Sequence, residues 1–175
     1  MLKAFEQTKA HQGASGIDGV SISNFEENLK DNLYKIWNRM SSGSYFPSPT
    51  LEVEIPKPTG GTRTLGIPTV EDRITQGVVK AYIEPRLEEI FHDDSFGYRP
   101  KRSCHRAIET TRKRCWSHDW VIDLDIKAFF DSIDHDLLEK AVRHHISEPW
   151  IILYIKRWIK APTKKKDGSQ QPRHR

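Results

Sequence analysis

Apolar residues recur along this chain in two rhythms, one helical and one extended. Phe25, Leu29, Leu33, Ile36, Trp37 and Met40 follow at three- and four-residue spacing, which predicts an amphipathic helix burying that stripe. Ser23 with Glu26 reads as its capping box, and Ser41-Ser42-Gly43-Ser44 as its end. Thr50 to Ile55 alternates, with Leu51, Val53 and Ile55 on one face; Pro56 to Gly61 reads as a turn, and Thr62 to Ile67 as the returning strand. Pro68 opens a helix with Ile74, Val78, Ala81 and Tyr82 facing inward, and Pro85 predicts a kink or fresh start there. After a loop over residues 92–102, Ser103 is placed to cap a helix reaching Ser117.

Trp120 to Ile126 reads as the best buried strand of the sequence. Asp134 then caps a helix carrying Leu137, Leu138, Ala141, Val142 and His145. A last helix spans Trp150 to Lys160, with Ile151, Tyr154, Ile155, Trp158 and Ile159 as its apolar side. A polar tail follows, with Lys166-Asp167-Gly168-Ser169 as a turn signal.

Composition narrows the class. Of 175 residues 36% are hydrophobic, and five Trp, seven Phe and five Tyr are too many for a disordered chain. No apolar run approaches the roughly 20 residues of a membrane helix, and the N-terminus has no signal-peptide core. Cys104 and Cys115 suit neither a disulfide scaffold nor a zinc site, so a reducing, cytoplasmic compartment is expected. Residues 99–114 hold seven Lys/Arg against Glu109, a net +6, within a chain of net charge +4. That concentration suits a polyanionic partner, and equally a solvated surface.

In Val121-Ile122-Asp123-Leu124-Asp125-Ile126, alternation sends Ile122, Leu124 and Ile126 to the core and both aspartates to the other face. Two acids at a strand end suit a divalent cation and phosphoryl transfer; solvated acids on an edge strand, or Asp123 paired with an arginine, suit the pattern too.

Four blocks resemble one family in order and spacing. The run Ile55-Pro56-Lys57-Pro58-Thr59-Gly60-Gly61-Thr62-Arg63-Thr64-Leu65-Gly66-Ile67-Pro68, continued by Glu71-Asp72-Arg73-Ile74-Thr75-Gln76, resembles the fingers signature of bacterial group II intron reverse transcriptases. Gly16 to Val20 resembles their N-terminal extension block, and Ser95 to His105 their next loop-and-helix block. Val121 to His135 resembles the palm motif bearing the first catalytic aspartate. Thr64 stands where the family usually has Pro, and Tyr98 where it has Phe.

The resemblance implies an α+β fold. Residues 1–118 would form an N-terminal extension and fingers, a β-hairpin plus helices, and residues 119–175 the first strand and helices of a palm. It implies Asp125 as catalytic, metal-binding aspartate, with the Ile126 backbone carbonyl as a second Mg²⁺ ligand and Asp123 as a supporting acid. Lys57 and Arg63 would meet the triphosphate of the incoming dNTP, and Phe130, rather than Phe129, would exclude a 2′-hydroxyl. Arg99, Lys101, Arg102 and Arg106 are the expected nucleic-acid contacts. The implied partners are group II intron RNA, an RNA template with DNA primer, and dNTPs, with no membrane.

The family's Pro-Gln-Gly and Tyr-Ala-Asp-Asp blocks do not occur after Asp125. A fragment inactive on its own is therefore expected, with apolar area exposed around Ile122, Leu124 and Ile126 and self-association through that palm edge. The alternatives are a non-catalytic RNA-binding module from the same fingers region, or a retron- or defence-type reverse transcriptase.

Overall fold

The computed structural model describes residues 1–58, 60–165 and 169–171, with the side chains of Asp131, Gln170 and Gln171 left aside. The turn expected at Lys166 to Ser169 lies largely outside the described residues, as do Lys166, Arg173 and Arg175 of the basic tail. The elements are α1 (Leu2–Ala10), α2 (Ile22–Glu27), α3 (Leu29–Ser41), β1 (Thr50–Pro56), β2 (Thr62–Ile67), α4 (Val70–Glu88), α5 (Cys104–Cys115), α6 (Phe129–Ser132), α7 (His135–His145), α8 (Pro149–Ile159), β3 (Thr163–Lys164) and β4 (Gln170–Gln171). The fold is α+β, as expected, with one sheet of order β2-β1-β3-β4 among the described residues. Two compact units are present: Met1–Tyr82 with Asp134–Arg175, and Ile83–Ile133. That division follows packing and does not bear on the fingers–palm boundary expected near residue 119.

The first unit has the core. Phe5 of α1 stacks on Phe25 of α2 at 5.9 Å between ring centroids, and Ala4 meets Gly77 of α4. Ile36 and Met40 of α3, Val70, Ile74 and Val79 of α4, and Ile151, Ile152 and Tyr154 of α8 are buried, as is Tyr45. Tyr154 is edge-on to Tyr45 at 5.9 Å and donates its hydroxyl to the Met40 carbonyl at 2.6 Å. Arg157 of α8 donates to the carbonyls of Gly43 (2.7 Å) and Tyr45 and lies 3.8 Å from the Phe46 ring centroid. The loop after α3 is thus fastened to a helix more than 100 residues away in sequence.

Several elements differ from the sequence expectation, each for a local reason. The helical signal from residue 23 splits into two helices. Ser21, not Ser23, is the N-cap, its hydroxyl accepting from the Asn24 amide at 3.1 Å. The helix breaks at Asn28 (φ −122°, ψ 41°), where the Asn32 side chain covers the Phe25 carbonyl at 2.9 Å. α3 then turns Ile36 and Met40 inward and leaves Trp37 exposed beside Tyr34. α4 runs through Pro85 without a fresh start. Proline removes the bond to the carbonyl of Ala81, and Ala81 is exposed, so the loss falls at the surface and not in the core. Ala81 and Tyr82, expected inward, are at the surface, though Tyr82 meets Trp150 edge-on at 5.4 Å.

Asp134 caps α7 as expected, accepting from the amides of Asp136 and Leu137 at 2.8 and 2.9 Å, and those bonds hold its carboxyl below the usual range. Leu137, Ala141 and His145 of α7 are exposed, and Leu138 and Val142 are half-covered. The largest departure is Trp120 to Ile126, which forms no strand: among the described residues no neighbour pairs with it, so its backbone has no ladder to join. Ile122, Leu124 and Ile126, expected in the core, are 82%, 87% and 67% exposed, which meets the companion expectation of an uncovered apolar segment.

Candidate active site

The β1–β2 hairpin forms in the expected place. Its register sets Leu51 opposite Ile67, Val53 opposite Leu65 and Ile55 opposite Arg63. The ladder continues past Pro56, with the Lys57 amide donating to the Gly61 carbonyl at 2.9 Å and the Gly60 amide to the Lys57 carbonyl at 3.1 Å. Gly60 (φ 90°) and Gly61 (φ 82°) close the turn in a region that side-chain-bearing residues avoid. Alternation places Lys57 on the same face as Ile55, and hence as Arg63. Lys57 directly follows the end of β1, and Arg63 lies in β2 opposite Ile55. Both are exposed, so a point-charge ammonium and a forked guanidinium face solvent from one hairpin face.

The second unit contains Asp125, Ile126 and Phe130. Asp125 and Asp123 are exposed on the unpaired segment. Ala128 (φ 51°, ψ 39°) turns the chain in a left-handed conformation into the single-turn helix α6. Phe129 and Phe130 stand edge-on at 5.3 Å, and Phe130, at 84% exposure, presents nearly its whole ring. Among the described residues no three His, Cys, Asp or Glu side chains gather into a metal-holding group. Asp125 and the neighbouring carbonyl are nonetheless all-oxygen donors, the set a hard, partly hydrated cation takes.

The four basic residues expected to meet nucleic acid stand differently. The Arg99 side chain is 5% exposed; it makes a forked pair with Glu88 at 3.0–3.2 Å and donates to the carbonyls of His92 (2.7 Å) and Ser95 (2.9 Å). It holds the 92–99 loop together from within. Arg102 pairs with Asp93 at 3.2 Å and covers the Phe96 ring. Lys101, at φ 59°, and Arg106 are exposed. Arg114 grips Asp94 with two bonds of 2.7–2.8 Å, and Lys113 pairs with Glu109, so much of the +6 segment is balanced locally.

A residue the sequence reading did not single out, Asp72, is the most polar group in the core at 2% exposure. One carboxylate oxygen accepts the Tyr45 hydroxyl. The other accepts the Thr69 hydroxyl at 2.7 Å and the Ser48 amide at 3.2 Å. Thr69 in turn accepts the Asp72 amide at 3.1 Å, capping α4, and Thr75 donates to the Tyr45 hydroxyl at 3.2 Å. Residues 13–19, which hold Gly13, Gly16 and Gly19, pack alongside: Arg73 donates to the Ala14 carbonyl at 2.5 Å, and a Cβ on Gly16 would lie 2.7 Å from the Thr69 backbone. Two of the sequence blocks therefore meet at the start of α4. Thr69-x-x-Asp72 is a capping-box spacing, the one signal that pointed to this cluster.

Residues 55–175 match the family model described as reverse transcriptase (RNA-dependent DNA polymerase). The chain belongs to the reverse transcriptase family. It is 37% identical over 168 residues to Protein YkfC of Escherichia coli (strain K12), covering 92% of this chain and 44% of that protein. It is 33% identical over 161 residues to Group II intron-encoded protein LtrA of Lactococcus lactis subsp. cremoris, covering 90% of this chain and 26% of that one. Nuclear intron maturase 1, mitochondrial, of Arabidopsis thaliana is 26% identical over 98 residues, 56% of this chain and 14% of its own length. The chain spans less than half the length of these relatives. The reverse transcriptase match includes Lys57, Arg63, Asp72, Arg99, Asp125 and Phe130. Polymerases of this family generally use divalent metals, and no helix of the described residues is long and apolar enough to cross a membrane.

Burial raises the carboxyl of Asp72 in this reverse transcriptase chain above its ordinary 3.8, against the opposing pull of its bonds from Tyr45, Thr69 and Ser48. The fold then favours the protonated acid. Its contribution is full below pH 3.8 and is lost as pH rises through the raised value. Asp72→Asn stays neutral throughout. Its urea midpoint relative to the unsubstituted chain is expected to move in the variant's favour from pH 3.8 to neutrality; a difference constant with pH would contradict this.

Proposed function

We propose that this chain is the fingers and opening palm of a group II intron-type reverse transcriptase and maturase, which copies RNA into DNA and assists splicing of its intron RNA. The observation that carries the reading is the placing of Lys57 and Arg63 on one face of a glycine-closed hairpin, inside the family match. In this reading the ammonium of Lys57 and the guanidinium of Arg63 neutralise the β- and γ-phosphates of a dNTP. The Asp125 carboxylate and Ile126 carbonyl hold Mg²⁺, with Asp123 in support, and the Phe130 ring excludes a 2′-hydroxyl. When bound, the metal supplies activation of the primer 3′-hydroxyl and charge neutralisation at the leaving pyrophosphate.

The names of LtrA and the Arabidopsis maturase support intron RNA as a partner, alongside an RNA template and DNA primer. Lys101 and Arg106, with Arg102, are the cations proposed to meet phosphates, while Arg99 acts by holding their loop. Residues 1–118 form the extension and fingers, and the palm begins at 119. The exposed Trp120, Ile122 and Leu124 are the proposed edge for self-association. The free thiols of Cys104 and Cys115 support a cytoplasmic setting.

Titration of the chain with Mg²⁺·dTTP and with dTMP, followed by calorimetry, tests the reading. The triphosphate should bind tighter, and Arg63→Ala should weaken it about tenfold while leaving the monophosphate unaffected. Equal affinity for both nucleotides, or an Arg63→Ala chain that binds as before, would count against it.

A further inference from the structure

The hairpin that holds Lys57 and Arg63 is rooted in an unusual way. Its chain enters through Ser48 and Pro49 into Thr50, and leaves through Ile67 and Pro68 into Thr69. Each strand is therefore one proline away from a residue that donates to the same carboxylate oxygen of Asp72: the Ser48 amide at 3.2 Å and the Thr69 hydroxyl at 2.7 Å. Proline fixes φ, so each spacer transmits the position of its donor to the strand with little slack. The other oxygen takes the Tyr45 hydroxyl, which ties the root to the core through Tyr154 and Thr75. On the entry side Thr50 is held a second time, its amide donating to the Pro162 carbonyl at 3.0 Å. On the exit side Thr69 is the link, and it also starts α4.

We infer that Asp72 is the positioning residue of the hairpin: one buried carboxylate joins both hairpin stems and thereby fixes where Lys57 and Arg63 are presented. The role rests on the triphosphate reading for its functional meaning, but the joint itself does not. Asp72 touches no substrate. Its effect passes through the backbone of β1 and β2. A buried acceptor with three donors is costly to remove, because the Tyr45 and Thr69 hydroxyls lose their partner in the interior and the Ser48 amide loses its own in a part-buried place. Asparagine makes an informative substitution. Its carbonyl oxygen still accepts from Ser48 and Thr69, while its amide donates to the Tyr45 oxygen.

Amide hydrogen exchange on the full 175-residue chain, combined with Mg²⁺·dTTP titration, tests this. In Asp72→Ala the β1–β2 amides should exchange at least about tenfold faster relative to those of α8, and the dTTP dissociation constant should rise about tenfold. Asp72→Asn should restore both. Ile74→Val, which trims the same helix without touching the carboxylate, should speed exchange in α8 and the hairpin alike. If Asp72→Ala does not fold, Thr69→Val is measured in its place and should loosen the hairpin in the same selective way. Uniform acceleration across hairpin and α8 in the Asp72→Ala or Thr69→Val chain would overturn the inference, as would weakened dTTP binding with hairpin protection unchanged. Selective loosening in a chain whose unsubstituted form binds no dTTP would leave the joint standing and remove the triphosphate reading instead.

Discussion

Purified and supplied with an RNA template, a DNA primer, dNTPs and Mg²⁺, this 175-residue polypeptide is expected to extend the primer at no detectable rate. Nucleotidyl transfer of this kind places two metal ions between carboxylates drawn from separate segments of the palm. Here Asp125 lies on an exposed segment, and among the described residues no group of three metal-binding side chains forms. In the proposed reading Asp125 supplies only half of that cage, which forfeits several kcal/mol of transition-state stabilisation, and each ~1.4 kcal/mol is a tenfold loss of rate. A loss of at least about a thousandfold takes the reaction below ordinary gel detection. Sustained cDNA synthesis by the isolated chain, abolished by Asp125→Ala, would show that its residues complete the centre after all.

Tyr154→Ala is expected to destabilise the first unit by about 3–5 kcal/mol and to lower its urea midpoint sharply. The ring is 1% exposed, packs edge-on against Tyr45, and donates its hydroxyl to the Met40 carbonyl at 2.6 Å. Removing a buried aromatic of this size costs about 3–5 kcal/mol, a large share of the roughly 5–15 kcal/mol that holds a domain. Tyr154→Phe keeps the ring and loses only the bond, about 1–2 kcal/mol. Leu124→Ser, at a side chain 87% exposed, should leave the urea midpoint unchanged. The comparison distinguishes the two units: α8 is essential to the core formed with residues 1–82, while the 120–126 segment contributes little to its own unit. A Tyr154→Ala chain whose urea midpoint is unchanged would mean that α8 does not pack as described.

Helices and hairpin were legible because their signals are local. The 50–67 alternation with two glycines at the turn, the Asp134 and Ser103 caps, and the apolar stripe of α8 each depend on neighbours within a few residues. The 120–126 strand was misjudged because a strand needs a partner, and hydrophobicity alone supplies none. The helix start near residue 21 was missed because Ser21 and Ser23 compete for one role, and Asn28 breaks a stripe that looks continuous in sequence. At the candidate site, the family resemblance and not residue type pointed to Lys57 and Arg63, and the register sets Arg63 opposite Ile55. Arg99 shows the limit of counting charge: its guanidinium is spent on Glu88 and two loop carbonyls, which composition cannot reveal. Asp72 escaped notice because its importance comes from donors at residues 45 and 48, brought to it only by folding.

The central claim is that Asp125 anchors a divalent cation for nucleotide transfer, and Mn²⁺ reports on it directly because its unpaired electrons broaden nearby amide resonances. Sub-stoichiometric Mn²⁺ added with dTTP should broaden the amides of Ile126 to Ala128 first, and Asp125→Asn should abolish that broadening while leaving the fold intact. Resonances of residues 126–128 that stay sharp in the unsubstituted chain, or that broaden equally in Asp125→Asn, would contradict the account.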